Sequence, residues 1–198
     1  MKIILKKILN KLGIDVKRLH PELRNRLSFD DIYKLKIKKN PLIFDVGANK
    51  GQSIQRFKKI FPECIIHSFE PIKKEFILLK EKYQHDKKVN INNEALGDKI
   101  EKKQFNVTAL TGNSSFHKLN LNTNWIKKRS NQYNTSVDKY IKETVEVDVN
   151  TIDHYCKKNE IEKIDILKID TQGYEDKILE GSLHLLQNNQ VDFVELEI

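Results

Sequence analysis

Three short stretches carry residue types and spacings that could do chemistry. "FDVGANKG" (44–51) sets Asp45, Gly47, Asn49 and Gly51 where an apolar run gives way to a helical pattern, "SFEP" puts Glu70 25 positions after Asp45, and "KIDTQGYE" puts Asp170 and Glu175 at the end of another apolar run. A strand that passes at once into a helix leaves free backbone N–H groups, which attract anionic or polar groups of a ligand. Gly47 would supply unusual dihedrals and admit a ligand to the main chain, Gly51 would let the helix pack close to the strand, and Asp45 would point its carboxylate into the crevice. An acid ending the second strand, Glu70, is placed to accept hydrogen bonds from both hydroxyls of a ribose. Two plainer readings stand beside these: Gly and Asn close ordinary strand-to-helix turns, and an acid before Pro71 favours a helix dipole.

The elements that must position these residues follow from periodicity. Apolar blocks at 42–46 and 64–70 read as buried strands; between and after them Ile54, Phe57, Ile60 and Phe61, and then Phe76, Leu79 and Tyr83, mark single helical faces. "VNINNEAL" (89–96), "IDILKID" (164–170) and "VDFVELEI" (191–198) continue as a third, fourth and fifth strand, with "YEDKILEGSLHLL" as a helical link. Alternating strands and helices predict an α/β, doubly wound, mostly parallel sheet covered on both faces. The stretch 97–163 departs from this, with "KKQFNVT" and "ETVEVDV" as an antiparallel pair, "TIDHYCKKN" as a short helix, and between the strands a long polar segment holding the only tryptophan.

The chain has 198 residues, enough for one domain with a real core, and no 18-residue apolar stretch that could span a bilayer. Cys64 and Cys156 form no metal or disulfide spacing and read as free thiols of a cytosolic protein. His67, His117 and His154 are not paired at ligand spacings, so no metal site is expected. The net charge of +8 resides in residues 1–40, which hold 12 basic and 4 acidic residues. This divides the chain into a basic N-terminal helical arm, 1–40, and a domain, 41–198. In residues 1–16, Ile4, Leu5, Ile8, Leu9 and Leu12 fall on one helical arc and Lys2, Lys6, Lys7 and Lys11 on the other. Such a helix can lie on an anionic membrane, here the inner surface, or dock its apolar face on the domain.

The glycine turn lacks the GxGxxG of dinucleotide sites, which argues against a nicotinamide-dependent reductase. It matches the DxGxGxG turn of S-adenosylmethionine enzymes except that Asn49 replaces the middle glycine. Taken with "HSFEP", "NNEALGD", "TGNSS", "VDVNTIDHY" and "LKIDTQGYEDKILEG", in that order, the chain from about residue 42 to 198 resembles the FkbM-type methyltransferases. The resemblance implies a class I methyltransferase (Rossmann-like) fold, S-adenosylmethionine as donor, and O-methylation of a hydroxyl on a sugar, glycolipid or polysaccharide precursor. Carried over by position, Asp45, Gly47, Asn49 and Gly51 would surround the methionine part of the donor and Glu70 its ribose. Asn93, Ala95 and Leu96 would supply the adenine side, and Ser114 and Ser115 match a Ser-rich stretch near the donor, or else form local side-chain turns. Asp170 would be the base or polar anchor for the acceptor, with Glu175 next; alternatively Asp170 caps the following helix. The family's domain normally continues past "VELEI", so the expected domain is C-terminally incomplete, cut short after its fifth core strand.

Two other functions remain open on the sequence. An RNA methyltransferase would use the basic arm and Trp125 and Tyr133 among Lys127, Lys128 and Arg129 for stacking and phosphate contact. Nucleic acid is nevertheless the disfavoured partner, because "DTQG" lacks the two prolines typical of base N-methyltransferases. The remaining reading is a non-catalytic donor-binding module. The expected partner is a small-molecule or glycan acceptor; the sequence does not speak to oligomeric state.

Overall fold

The computed structural model describes residues 28–37, 40–117, 123–132 and 136–197, with the side chains of 125, 127, 129 and 138 left aside. The basic stretch 1–16 lies outside the described residues. A helix α1 (Phe29–Lys36), opened by a capping box between Ser28 and Asp31, precedes strand β1 (Leu42–Val46). There follow α2 (Gln52–Ile60), β2 (Ile65–Phe69), α3 (Lys73–Tyr83), β3 (Val89–Asn92), β4 (Ala95–Leu96), β5 (Glu101–Thr108), α4 (Asn124–Gln132) and β6 (Ile141–Asn150). The domain continues with α5 (Ile152–Lys158), β7 (Ile164–Ile169), α6 (Glu175–Glu180), α7 (Leu183–Gln187) and β8 (Val191–Leu196).

Five parallel strands form the main sheet in the order β3-β2-β1-β7-β8. Helices α1, α2 and α3 cover one face, where Tyr33, Ile43, Ile54, Phe57, Ile66 and Leu79 pack together. Helices α5, α6 and α7 cover the other, around Phe44, Phe69, Ile152, Leu167 and Leu179. The order reverses between β1 and β7, and a ligand crevice is expected outside the carboxyl ends of the strands at such a switch. Helix α1 lies within the stretch read as the N-terminal arm and is docked on the domain: Tyr33 is 2% exposed, meets Phe193 edge-on and donates to Glu195 at 2.7 Å.

Two elements differ from the periodicity reading. The single third strand expected over 89–96 is two strands: β3 ends the main sheet, and β4 pairs instead with β6 in a three-stranded sheet of order β4-β6-β5. Between them Asn93 turns its amide back to the carbonyls of Glu70 and Pro71 at 3.0 and 3.1 Å, which fixes the change of direction. The helical link after β7 breaks into α6 and α7 at Gly181, because that residue rests on main chain: a Cβ there would lie 1.9 Å from the Gly97 carbonyl oxygen. The antiparallel pair of β5 and β6 and the short helix α5 are present as the pattern predicts, and the polar segment between β5 and β6 holds α4 and a 3-10 turn at Thr111–Asn113.

Candidate active site

The ends of β1, β2 and β7 meet the small sheet at a cleft of ≈ 330 Å³. Its wall on the β1 side is the glycine turn. Gly47 and Gly51 have φ of +87° and +79°, and Asn49 has +45°. The left-handed region suits glycine and tolerates asparagine. Gly47 is further constrained by packing, since a Cβ would meet the Asp170 carbonyl oxygen at 2.0 Å, so this glycine lets the β1 turn close directly against the end of β7. Gly51 leaves room for α3 rather than for the strand: its Cβ would reach Leu79 at 2.8 Å.

The turn's amides are not left free for a ligand, contrary to the sequence reading. Those of Gly47 and Ala48 donate to the Phe69 carbonyl, both at 3.1 Å, and that of Asn49 donates to Glu70 Oε2 at 2.8 Å. Parallel strands need such cross-ties at their ends, and β2 is the nearest acceptor. The amides that a helix start leaves unpaired belong to the first turn of α2, where Gln52 and Ser53 line the cleft.

Glu70 lines the cleft and is 4% exposed. Its other oxygen, Oε1, accepts the Ile72 amide at 2.8 Å, so each oxygen is held from behind by one amide and keeps capacity for a donor in front. Burial pushes this carboxyl up to about 7 against the pull of the two amides, and the charges of Glu75 and Asp45 add to the rise. Ala95 and Leu96 also line the cleft, and Ile72, Ala95 and Phe105 form one packed cluster beside Glu70. Asn93 is outside the lining and braces the main chain of Glu70 and Pro71 from behind.

Asp45 is not at the crevice surface. It is fully buried beneath the turn, on the α2 face of the sheet, where its carboxylate oxygens make no well-formed hydrogen bond and Lys168 Nζ stands 3.4 Å away. Burial raises the carboxyl above its ordinary range, and Lys168 draws it back. Strand register explains the position: Asp45 lies opposite Ser68 on β2 and Lys168 on β7, and Lys168 in turn lies opposite Glu195 on β8, so a polar row crosses the sheet just below the cleft.

Asp170 lines the cleft, with Gln172 Nε2 donating to its Oδ1 at 3.0 Å and Lys168 Nζ 3.5 Å from its Oδ2. It does not cap the next helix. Glu175 does not cap it either, since the N-cap is Tyr174 and makes no side-chain cap bond; 2% exposed and outside the cleft lining, Glu175 accepts the amides of Thr171 and Gly173 at 3.1 and 3.0 Å and so shapes the loop that presents Asp170. The two candidates for proton transfer are therefore separated, one facing the cleft and one supporting it. Ser114 lines the cleft while its hydroxyl accepts the Thr108 amide at 3.0 Å; Ser115 is behind the lining and donates to the Gln172 carbonyl at 3.0 Å.

Several lining residues escaped the sequence reading. Thr111 donates to Asn49 Oδ1 at 2.8 Å, tying the 3-10 turn across the cleft to the glycine turn. Lys168, Glu195 and Glu197 line the β7–β8 end of the cleft with Arg56, whose guanidinium is engaged by Glu195 and Asp30, both at 2.6 Å. A lysine inside the apolar run "IDILKID", two positions before Asp170, was the available signal, because alternate residues of a strand share a face. Phe105, Phe116 and Tyr174 form an aromatic wall with ring centroids 4.9 and 4.5 Å apart.

Among the described residues no group of three or more His, Cys, Asp or Glu side chains could hold a metal ion, and no helix is long and apolar enough to cross a membrane. Cys64 and Cys156 are buried free thiols pushed up to about 11 and about 12 by burial, which suits packing rather than nucleophilic roles. Tyr133 and the side chains of Trp125, Lys127 and Arg129 fall outside the description.

Comparison with known proteins bears on this geometry. Residues 45–198 match the family model described as the methyltransferase FkbM domain. A curated relative, the 2-O-methyltransferase NoeI of Sinorhizobium fredii (strain NBRC 101917 / NGR234), is 22% identical over 166 residues, which cover 83% of this chain. The chain spans about two thirds of that relative's length, 66%.

Proposed function

The chain belongs to the methyltransferase FkbM family, and on that premise we propose that it transfers a methyl group from S-adenosylmethionine to a hydroxyl of a sugar, glycolipid or polysaccharide precursor. The observation that carries this reading is one cleft in which a ribose-ready carboxylate and a cleft-facing Asp170 meet across the glycine turn. The residues present fit such a donor. The cleft is within the size range of small-ligand sites. Glu70 has acceptor capacity for two ribose hydroxyls, Ile72, Ala95, Leu96 and Phe105 offer an apolar slot for a purine, and the acidic reacting end suits a cation.

When bound, the donor supplies an electrophilic methyl group on a sulfonium. The protein's part is then to orient the acceptor oxygen in line with that methyl and to take its proton, which Asp170 can do from the cleft wall. The lining cations are both engaged: Arg56 pairs with Asp30 and Glu195, and Lys168 with Asp45 and Asp170. Asp170, Glu195 and Glu197 leave the reacting end acidic, which favours an uncharged polyol over a phosphate-bearing acceptor and weighs against RNA. The 2-O-methyltransferase named among the relatives supports a sugar-type hydroxyl as the target.

Titration calorimetry with S-adenosylmethionine and S-adenosylhomocysteine tests the donor site. Wild type is expected to bind in the micromolar range, and Glu70→Ala to bind about 10- to 100-fold more weakly, the range expected on losing hydrogen bonds to a charged acceptor. A folded wild type that binds neither compound would remove the methyltransferase reading and favour a non-catalytic module.

A further inference from the structure

The match to the methyltransferase family begins at residue 45, yet helix α1, Phe29–Lys36, is tied to the cleft by charged contacts. Arg56 and Glu195 both line the β7–β8 end and meet as a fork: Arg56 Nη1 donates to Glu195 Oε1 at 2.6 Å and Nη2 donates to Oε2 at 3.1 Å. Helix α1 supplies two further partners from outside the lining. Arg56 Nε donates to Asp30 Oδ1 at 2.8 Å, and the Tyr33 hydroxyl donates to Glu195 Oε2 at 2.7 Å. Each member of the pair is therefore held by the other and by one residue of α1. We propose that Asp30 and Tyr33 are positioning residues for the Arg56–Glu195 pair, and that the pair so fixed receives the amino-acid end of the methyl donor. The ligand half of this rests on the methyltransferase reading, the positioning half on the contacts alone.

The two anchors suit the task. Tyr33 is 2% exposed, with its ring against Phe57 and Phe193 at centroid distances of 6.4 and 5.5 Å. Burial, and then the bond to Glu195, pushes its hydroxyl up, so it stays a donor across the neutral range. Asp30 stands in the first turn of a helix whose start is fixed by the Ser28–Asp31 capping box, where negative charge is favoured. Long side chains such as arginine and glutamate lose rotamer freedom when a ligand orders them, and that loss lowers affinity. Helix α1 orders both before the ligand arrives.

The charges around the pair divide by element. The α2 side presents Gln52, Ser53 and Arg56, with no acid in the helix's first turn, and the β8 side presents Glu195 and Glu197. An amino acid is a zwitterion, whose carboxylate is drawn to the first side and whose ammonium is drawn to the second. Glu195 keeps acceptor capacity beyond its bonds from Arg56 and Tyr33. Glu70 ends β2, and β8 lies three strands further across the sheet, beyond β1 and β7. A nucleoside that carries an amino-acid tail can thus set its ribose at one end of the cleft and its tail at the other.

Calorimetry on the full chain with S-adenosylhomocysteine and with 5′-methylthioadenosine, a nucleoside thioether that lacks the amino-acid end, tests the ligand half. Wild type is expected to prefer S-adenosylhomocysteine by about tenfold or more. In the double variant Asp30→Asn/Tyr33→Phe, which keeps the Tyr33 ring in the core, S-adenosylhomocysteine affinity is expected to fall about tenfold while methylthioadenosine affinity stays within about twofold. Equal affinity of wild type for both probes, or an unchanged preference in the double variant, would overturn the proposal. Equal loss of both probes would do so too, by marking a merely structural role. Arginine Nε NMR of the ligand-free chain reads the contacts themselves: the Arg56 Nε–H is expected to exchange slowly and its guanidinium to rotate slowly in wild type, and both to speed up in the double variant. A freely rotating Arg56 in wild type would sink the positioning half. A wild type with an ordered Arg56 that binds neither probe would count against the methyltransferase reading and overturn the ligand half, leaving Asp30 and Tyr33 as positioning residues.

Discussion

Where the cleft meets β1 and β2, its shape is main chain: Gly47, Asn49 and Gly51 hold left-handed φ values, two amides tie to the Phe69 carbonyl, and Glu70 is clamped by two more. Where it meets β7 and β8, it is a set of side-chain charges, with Lys168 between Asp45 and Asp170 and Arg56 between Asp30 and Glu195. The first region is preorganised by sterics and fails when atoms are added. The second is held by electrostatics and fails when charge or protonation changes. The proposed function, which would bind a nucleoside donor and move a proton, would draw on both kinds of construction.

Asp170→Asn separates the walls most widely. Methyl transfer, measured in single turnover with an acceptor found by screening glycans and lipids, is expected to fall by about 10²- to 10⁴-fold. S-adenosylhomocysteine affinity should stay within about threefold, and a parallel loss of affinity would mean that the two walls do not divide the labour. Gly47→Ala attacks the other wall: the left-handed φ and the approach to the Asp170 carbonyl predict a loss of more than about 3 kcal/mol, seen as a fall of roughly 10 °C in melting temperature. An unchanged melting temperature would show that the turn can yield.

The smallest effect sharpens the contrast, because it gives the main-chain wall one titrating group. Glu70 is raised to about 7 in the fold, so between its ordinary value and that point the folded state binds more protons than the unfolded one. Stability of the ligand-free protein therefore declines as pH rises from about 4.5 to 7, and Glu70→Gln should flatten that slope in thermal melts. Ribose hydroxyls donate to the ionised form, so S-adenosylhomocysteine affinity should rise with pH by up to tenfold per unit below about 7 and level off above it. Affinity that is flat with pH, or a slope retained in Glu70→Gln, would assign the dependence to another group.

Much of this was legible in one dimension. Apolar runs and helical periods mark β1, β2, α2, α3, β7 and β8, and the acids at strand ends mark Glu70 and Asp170, because burial and backbone geometry restrict residue types locally. The split of residues 89–96 between two sheets was not legible, since Ala95 pairs with Val149, and no local pattern announces a partner more than fifty positions away. The same limit hid the contrast between Asp170 and Glu175: both end one motif, and only the path of the loop turns one into the cleft and the other beneath it.

Sequence by itself determined the family, the doubly wound class and the demand for glycine at 47, since each follows from residue type at a position. Tertiary structure alone decided that Asp45 is buried against Lys168 rather than open to the crevice, and that Glu195 comes beside Lys168. Those outcomes depend on strand register across β1, β7 and β8, where energy comes from pairs of residues far apart in the chain. The physical reason is that desolvation and charge pairing act through space, and their balance exists only once the strands are side by side.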